Sequence, residues 1–378
     1  MATEGLAAPV AVAKQRSSWA ETLVGQLLAL LASLGIALLA GSVLIVAYGE
    51  SPATVYSSIL DASMGSADGI GYVLAIATPL IFSALAVAVC FKGGLFNIGV
   101  EGQYLVAMVT AAWAEIELGF LPGPILVVVV LLAAMLGGMI WAAVPGILKV
   151  KTGAHEVVTT IMLNYIALYL LFYLLSVPGF QAEGSNQAIS IPIDATARFP
   201  RLFGSGLSVN GSLVVALLAA LACWWLLTRS TLGFRLRAVG ANQFAARTAG
   251  MNVARSYVIV MLIAGALSGL AGAAQALGGN NVAITGDVDA NIGFDAITVA
   301  LLGRASPGGT VWAGILFGAL RAGSVRMQAE TGVPTEIVQV IQSVIVLFIA
   351  APALIREIFH LRESRGGGVT QLAKGWNG

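Results

Sequence analysis

Charge is scarce in this sequence. Of its 378 residues only 10% are Asp, Glu, Lys or Arg, while 58% are hydrophobic. A soluble domain has roughly 45–50% apolar and about 25% charged residues. A water-facing globule this poor in charge cannot cover its surface, which excludes a soluble enzyme and a disordered chain. The 19 basic and 18 acidic residues nearly cancel, to a net +1, so no global field draws in a polyanion and a nucleic-acid binder is excluded as well. Cysteine is nearly missing too. Cys90 and Cys223 each sit inside an apolar run, and two such thiols make neither a disulfide framework nor a zinc site. The two histidines, His155 and His360, lie far apart, and no His, Cys and carboxylate cluster has metal-ligand spacing. Neither a metal nor covalent catalysis is expected.

In place of charge there are long apolar runs, and the mean hydropathy is +0.92. They fall at about 22–47, 71–91, 100–117, 125–148, 157–177, 212–228, 257–279, 292–304, 309–328 and 335–356. The first is too long for a signal-peptide core of about 7–15 residues. Backbone amides in lipid must be satisfied internally, so the runs are expected to be helices. The expectation is an all-α polytopic membrane protein of about ten transmembrane helices: a polar segment 1–21, a membrane body 22–356 and a charged tail 357–378. A long polar segment, 178–211, and a basic loop, 229–256, interrupt the body. With the N-terminus inside, fifteen of the 19 Lys and Arg residues, from Lys14 to Lys374, fall on the inner side, leaving Arg198, Arg201, Arg321 and Arg326 outside. The positive-inside rule therefore puts both termini in the cytoplasm.

Small residues recur every four positions at Ala134, Gly138 and Ala142, at Gly265, Gly269 and Ala273, and at Gly314 and Gly318. Such faces let helix backbones approach closely in lipid. The eighth run is short: thirteen residues rise only about 20 Å, against roughly 30 Å of hydrocarbon. The glycine-rich turns 92–99 and 303–309 punctuate the chain in different halves, the usual pointer to a transporter's central site. The tripeptide Asn-Ile-Gly occurs at both 97–99 and 291–293.

Polar groups at bilayer depth face an interior or a cavity. On that basis Phe96, Asn97, Glu101, Gln103, Asn164, Tyr165, Asn280 and Asn281 are candidates for a solute path. Each also has a plainer reading, as packing, a turn bond or a helix-to-helix hydrogen bond. Glu101 and Asp295 are the carboxylates expected deepest in the membrane, with Lys92 and Arg304 as counter-charges. Glu156 opens the fifth span, where a carboxylate suits the helix dipole. Arg321 fits an ordinary span worst and is expected to snorkel outward or to pair with Glu330. In the basic loop Asn242 is a good N-cap and Gly250 a good stop, so Gln243 to Ala249 is expected to form a short helix of about two turns.

At this point a resemblance becomes specific. Ala245-Ala246-x-x-x-Gly250 resembles the coupling loop of ABC-importer permeases, and the string from Gly233 to Asn242 resembles the branched-chain amino acid/ribose permease superfamily. Gly94-Leu-Phe-Asn-Ile-Gly-Val-Glu-Gly-Gln103, Thr160-Ile-Met-Leu-Asn-Tyr-Ile-Ala167 and Leu301-Leu-Gly-Arg-Ala-Ser-Pro-Gly-Gly309 are similar to its nucleoside and simple-sugar members. The similarity runs from about 70 to 350. His155 departs from it, where Asn is the more usual residue. The resemblance implies a multi-pass permease of the cell inner membrane. Asn242, Ala245, Ala246, Arg247 and Gly250 would couple it to an ATP-binding subunit. A second permease, which the family usually makes a paralogue, and an extracytoplasmic solute-binding protein would complete the importer, with nucleosides as cargo. The chain has no Gly-Lys pair and hence no phosphate-cradling loop of the G-x-x-x-x-G-K-[ST] kind. It is therefore expected to be no enzyme and to bind no cofactor, ATP and Mg being used by the partner. An ion-coupled secondary transporter and a ribose-type sugar permease remain alternatives. An intramembrane enzyme would need a histidine at depth, and no span supplies one.

Overall fold

A computed structural model describes residues 19–204, 206–278, 283–286 and 291–350. Its described residues form thirteen α-helices and one 3-10 turn, Ala195–Ala197. Helix α1 (Trp19–Tyr48) meets α2 (Pro52–Met64), with a bend of 115° between them. No apolar run in the sequence marks α2. Its polar residues, Ser57, Ser58, Asp61 and Ser63, mask the apolar period that Val55, Ile59 and Ala62 carry into the interior, where Ser58 and Ser63 are buried with them. Then come α3 (Ala67–Lys92), α4 (Val100–Leu118), α5 (Gly123–Thr152) and α6 (Glu156–Leu174). After the polar segment follow α7 (Ser212–Arg229), α8 (Thr231–Ala241), α9 (Gln243–Thr248) and α10 (Val253–Leu277). The last three are α11 (Ile292–Leu302), α12 (Pro307–Thr331) and α13 (Glu336–Ala350).

Five helices, α3, α5, α6, α7 and α10, are each long and apolar enough to cross a membrane alone. The bent pair formed by Ala32–Tyr48 and α2 is a sixth candidate. The other expected spans fall on α4, which carries Glu101, Glu115 and Glu117, on the short α11, on α12 with Arg321 and Arg326, and on α13. The charged tail from 357 on lies outside the described residues.

Helix α3 is the hub, with 83% of its apolar window buried. Small residues set the tightest contacts. A Cβ on Gly265 would come 2.6 Å from Ala142 Cβ, and one on Gly269 as close to Ala134 O, so α5 and α10 run antiparallel with their backbones touching. Gly314 and Gly318 of α12 stand the same way against Ile81 and Ala77 of α3. The two arrangements are counterparts. Helix α10 packs most extensively on α5 and α3 on α12, while α4 lies along α10 and α5, and α11 along α3 and α12. Exchanging α3 with α10, α5 with α12 and α4 with α11 maps this set of contacts onto itself with the helix directions reversed. That is the signature of an inverted repeat.

Candidate functional site

The counterpart helices α4 and α11 begin side by side. Residues 93–99 leave α3 without helical structure and climb back into the bundle, and α4 starts only at Val100. Gln103 meets Ser268, fifteen residues along α10, so α4 opens deep in the core. Helix α11 opens beside it: Gly293 N donates to the Glu101 carboxylate, and a Cβ at 293 would meet the backbone of Glu101. From there α11 rises only about 16 Å, half the hydrocarbon thickness. Two helix N-termini thus converge on one buried carboxylate, an electrostatically favourable arrangement. Both approaches carry the same pattern, Asn97-Ile-Gly-Val-Glu101 and Asn291-Ile-Gly-Phe-Asp295. The repeated tripeptide is the start of this match, followed in each copy by a carboxylate two residues after the glycine.

Most of the path candidates gather here. Asn97 Oδ1 accepts from Gly99 N at 2.9 Å and closes the turn. The Asn97 and Gln103 amides face each other at 3.3–3.4 Å, and Gln103 Oε1 accepts from Ser268 Oγ at 3.1 Å. Asn164 of α6 clamps the same turn, donating to Ile98 O at 3.0 Å and accepting from Gly102 N at 2.9 Å. Phe96 lies against Phe91, ring centroids 5.2 Å apart. Tyr165 does not join them; it lies on the exposed side of α6. Asn280 and Asn281 lie outside the described residues.

The charged partners differ from those expected. Asp295 pairs with Arg321 at 3.2 Å, not with Arg304. Arg321 therefore turns into the bundle, and Glu330 is taken by Arg326 at 2.7 Å and Ser58 at 2.6 Å. Twenty-six residues separate Asp295 from Arg321, and only the hairpin of α11 and α12 brings them together. Glu156 opens α6 as expected and also binds Lys149 at 2.6 Å.

The second locus is α9. Asn242 Oδ1 accepts from Phe244 N and Ala245 N at 2.9 and 3.0 Å, and Gly250 holds φ +79° where the chain turns off. Ala246 is buried against Val239 and Val253, so it anchors α9 to the permease body. Ala245 and Arg247 point outward. So does Phe244, 67% exposed, which the sequence reading had not singled out. Two positions from an anchored residue lie about 200° round a helix, and that offset is the signal that identifies it. Helix α8, also unforeseen, joins α9 to the junction. Its Ser230 caps Gly233 N at 2.9 Å, and Gly94, at φ +75°, packs on Gly240. From the other side Tyr257 of α10 donates to Gln243 Oε1 at 3.1 Å and lies under Lys149 Nζ, 5.9 Å from its ring centroid.

Residues 69–350 match the family described as branched-chain amino acid transport system / permease component. The chain belongs to this family of permeases. The guanosine ABC transporter permease protein NupP of Bacillus subtilis is 38% identical over 91% of this chain and 98% of its own length. The nucleoside ABC transporter permease protein NupB of Lactococcus lactis is 34% identical, covering 84% of this chain and 88% of that protein. A glucose ABC transporter permease of Haloferax volcanii is 35% identical over 83% of this chain and 84% of its own. This permease is thus a multi-pass membrane subunit of the ABC-transporter kind.

Proposed function

We propose that this permease is one half of the membrane channel of an ATP-driven nucleoside importer in the cell inner membrane, with both termini and α8–α9 on the cytoplasmic side. The observation that carries the reading is the 38% identity to a guanosine permease over nearly the whole of both chains. A second permease, in this family usually a paralogue, completes the channel. An extracytoplasmic binding protein delivers the solute. ATP and Mg act in a separate ATP-binding subunit, in keeping with the missing Gly-Lys pair.

The exposed face of α9, Phe244, Ala245 and Arg247, seats in that subunit, while Ala246 holds the helix to its own protein. When two ATP-binding subunits close, α9 is carried with them. Gln243 and Tyr257 pass the displacement to α10; α8, through Gly240 and Gly94, passes it to the turn that opens α4. Both routes end at the junction of Glu101 and Gly293. The ATP-binding subunit shifts the access equilibrium only through contacts that differ between its two states.

Reconstitution tests this. With its partners, the permease takes up radiolabelled guanosine into proteoliposomes when ATP is supplied on the α9 side, and alone it takes up none under a proton or sodium gradient. Gradient-driven uptake by the single chain contradicts the reading. The glucose permease similarity supports a second reading, a simple-sugar importer; unlabelled glucose that competes with guanosine as strongly as inosine does would favour it.

A further inference from the structure

Between α3 and α10, at the end away from α8–α9, lies a cavity of about 290 Å³ that none of the candidate residues lines. Tyr72 and Ile76 of α3 form one wall; Ala274, Gln275 and Gly278 of α10 form the other, and Asn210 sits at its edge. No lining residue is charged. Asn210 is already used, donating to Gly278 O at 2.6 Å and accepting from Ser212 N at 3.0 Å. Gln275 is different: its amide makes no hydrogen bond among the described residues, although it stands on a helix that is mostly buried. Tyr72 and Gln275 therefore offer a ring face and a complete amide, two donors and one oxygen, to whatever enters.

We propose that this cavity is an outer subsite for the flat, uncharged base of a nucleoside, stacked on Tyr72 with its edge hydrogen-bonded by Gln275. The inference rests on the nucleoside reading above and gives it a place on the permease. A volume near the small end of ligand pockets suits a solute of that size. The aromatic face recognises any planar heterocycle, as base-stacking side chains do. The uncharged lining gives a phosphate no counter-charge, so nucleosides are favoured over nucleotides. Ala274 and Gly278 keep the α10 wall flat, and Ile76 closes the apolar side. The deeper polar ring of Gln103 and Ser268 lies about two turns of α10 further in, on the route to the junction.

The molecule supplies a clean background for the test. Cys90 and Cys223 are both buried, so a cysteine introduced at the cavity is the accessible thiol of this chain. The assembled transporter, in nanodiscs, carries Ala75→Cys, at a position that lines the cavity but holds nothing in it, and is labelled with a hydrophilic maleimide, with Asp68→Cys, exposed outside the cavity, as control. Millimolar inosine is expected to slow labelling at 75 by five-fold or more and to leave position 68 unchanged. In the same assay Tyr72→Phe keeps this protection and Tyr72→Leu loses it. Unchanged labelling at 75 in the presence of inosine, while the wild-type complex still imports nucleosides, overturns the subsite and leaves the nucleoside reading standing. Protection by ribose equal to that by inosine also overturns it, since the sugar and not the base would then be held. A wild-type complex that imports no nucleoside removes the reading beneath it.

Discussion

Two stretches of this permease share Asn-Ile-Gly and a carboxylate two residues on, and have opposite fates. Asn97-Ile-Gly-Val-Glu101 opens α4 and Asn291-Ile-Gly-Phe-Asp295 opens α11. Asn97 closes its turn by bonding Gly99 N, whereas Asn291 reaches the helix through a left-handed backbone at φ 54°. Glu101 is buried and receives the backbone N–H of the opposite half-helix; Asp295, partly exposed, is matched by the guanidinium of Arg321. An inverted repeat has thus kept its geometry and divided its electrostatics. One carboxylate is held by the start of a helix and stitches the halves together. The other is held by a side chain of its own hairpin.

The largest expected effect comes from separating the two openings. Gly293→Val drives a side chain into the Glu101 backbone, which cannot move aside as a side chain tip can; a loss of more than about 3 kcal/mol is expected. A collapse of folded yield in detergent, or a fall of the unfolding midpoint by many degrees, checks this. Gly308→Val, where a Cβ meets open space, changes little.

The ion pair comes next. Arg321→Ala leaves the Asp295 carboxylate inside the bundle without its guanidinium and is expected to lower stability by about 2 kcal/mol. Adding Asp295→Ala restores most of that loss, since the stranded charge is then gone. A double-mutant cycle on thermal unfolding reads the coupling, and purely additive losses would remove the pair from the comparison.

A smaller effect sharpens the asymmetry. Asn164→Ala removes both bonds to the α4 turn, to Ile98 O and Gly102 N, at about 1–3 kcal/mol. The α11 opening is held instead by the Glu101 carboxylate on Gly293 N, which Asn164 does not touch. Hydrogen exchange is therefore expected to rise at 98–103 in this variant while 292–296 keeps its wild-type rate.

Much of the architecture is legible in the letters because lipid leaves the backbone few choices. The runs at 71–91, 125–148, 212–228 and 257–279 coincide with α3, α5, α7 and α10 to within four residues at each end, and the four-residue stripes of small side chains lie on the helix faces that touch. The opening of α4 is legible too, from the glycine turn 92–99 and the repeated tripeptide, which also marks the start of α11; the turn 303–309 lies instead between α11 and α12, at the other end of α11. What stays hidden is partnership at long range. Nothing near Arg321 in sequence points to Asp295, and nothing local separates Asn164 as a clamp from Asn164 as a solute contact. The amphipathic α2 and the basic α8 escape for another reason: each is too polar to register as an apolar run. On α9 the cap and the stop are readable, but which side faces outward depends on Val239 and Val253, which anchor Ala246 from flanking segments.

The proposed coupling requires α9 to be the grip of a separate ATP-binding subunit, with Phe244 at its outward face. Phe244→Asp replaces an exposed ring and disturbs no buried contact, so the permease should keep its wild-type unfolding midpoint. Affinity purification of the variant co-expressed with the ATP-binding subunit measures the grip directly. The prediction is loss of at least nine-tenths of the co-purifying ATPase. Full recovery of the ATPase with Phe244→Asp would contradict it.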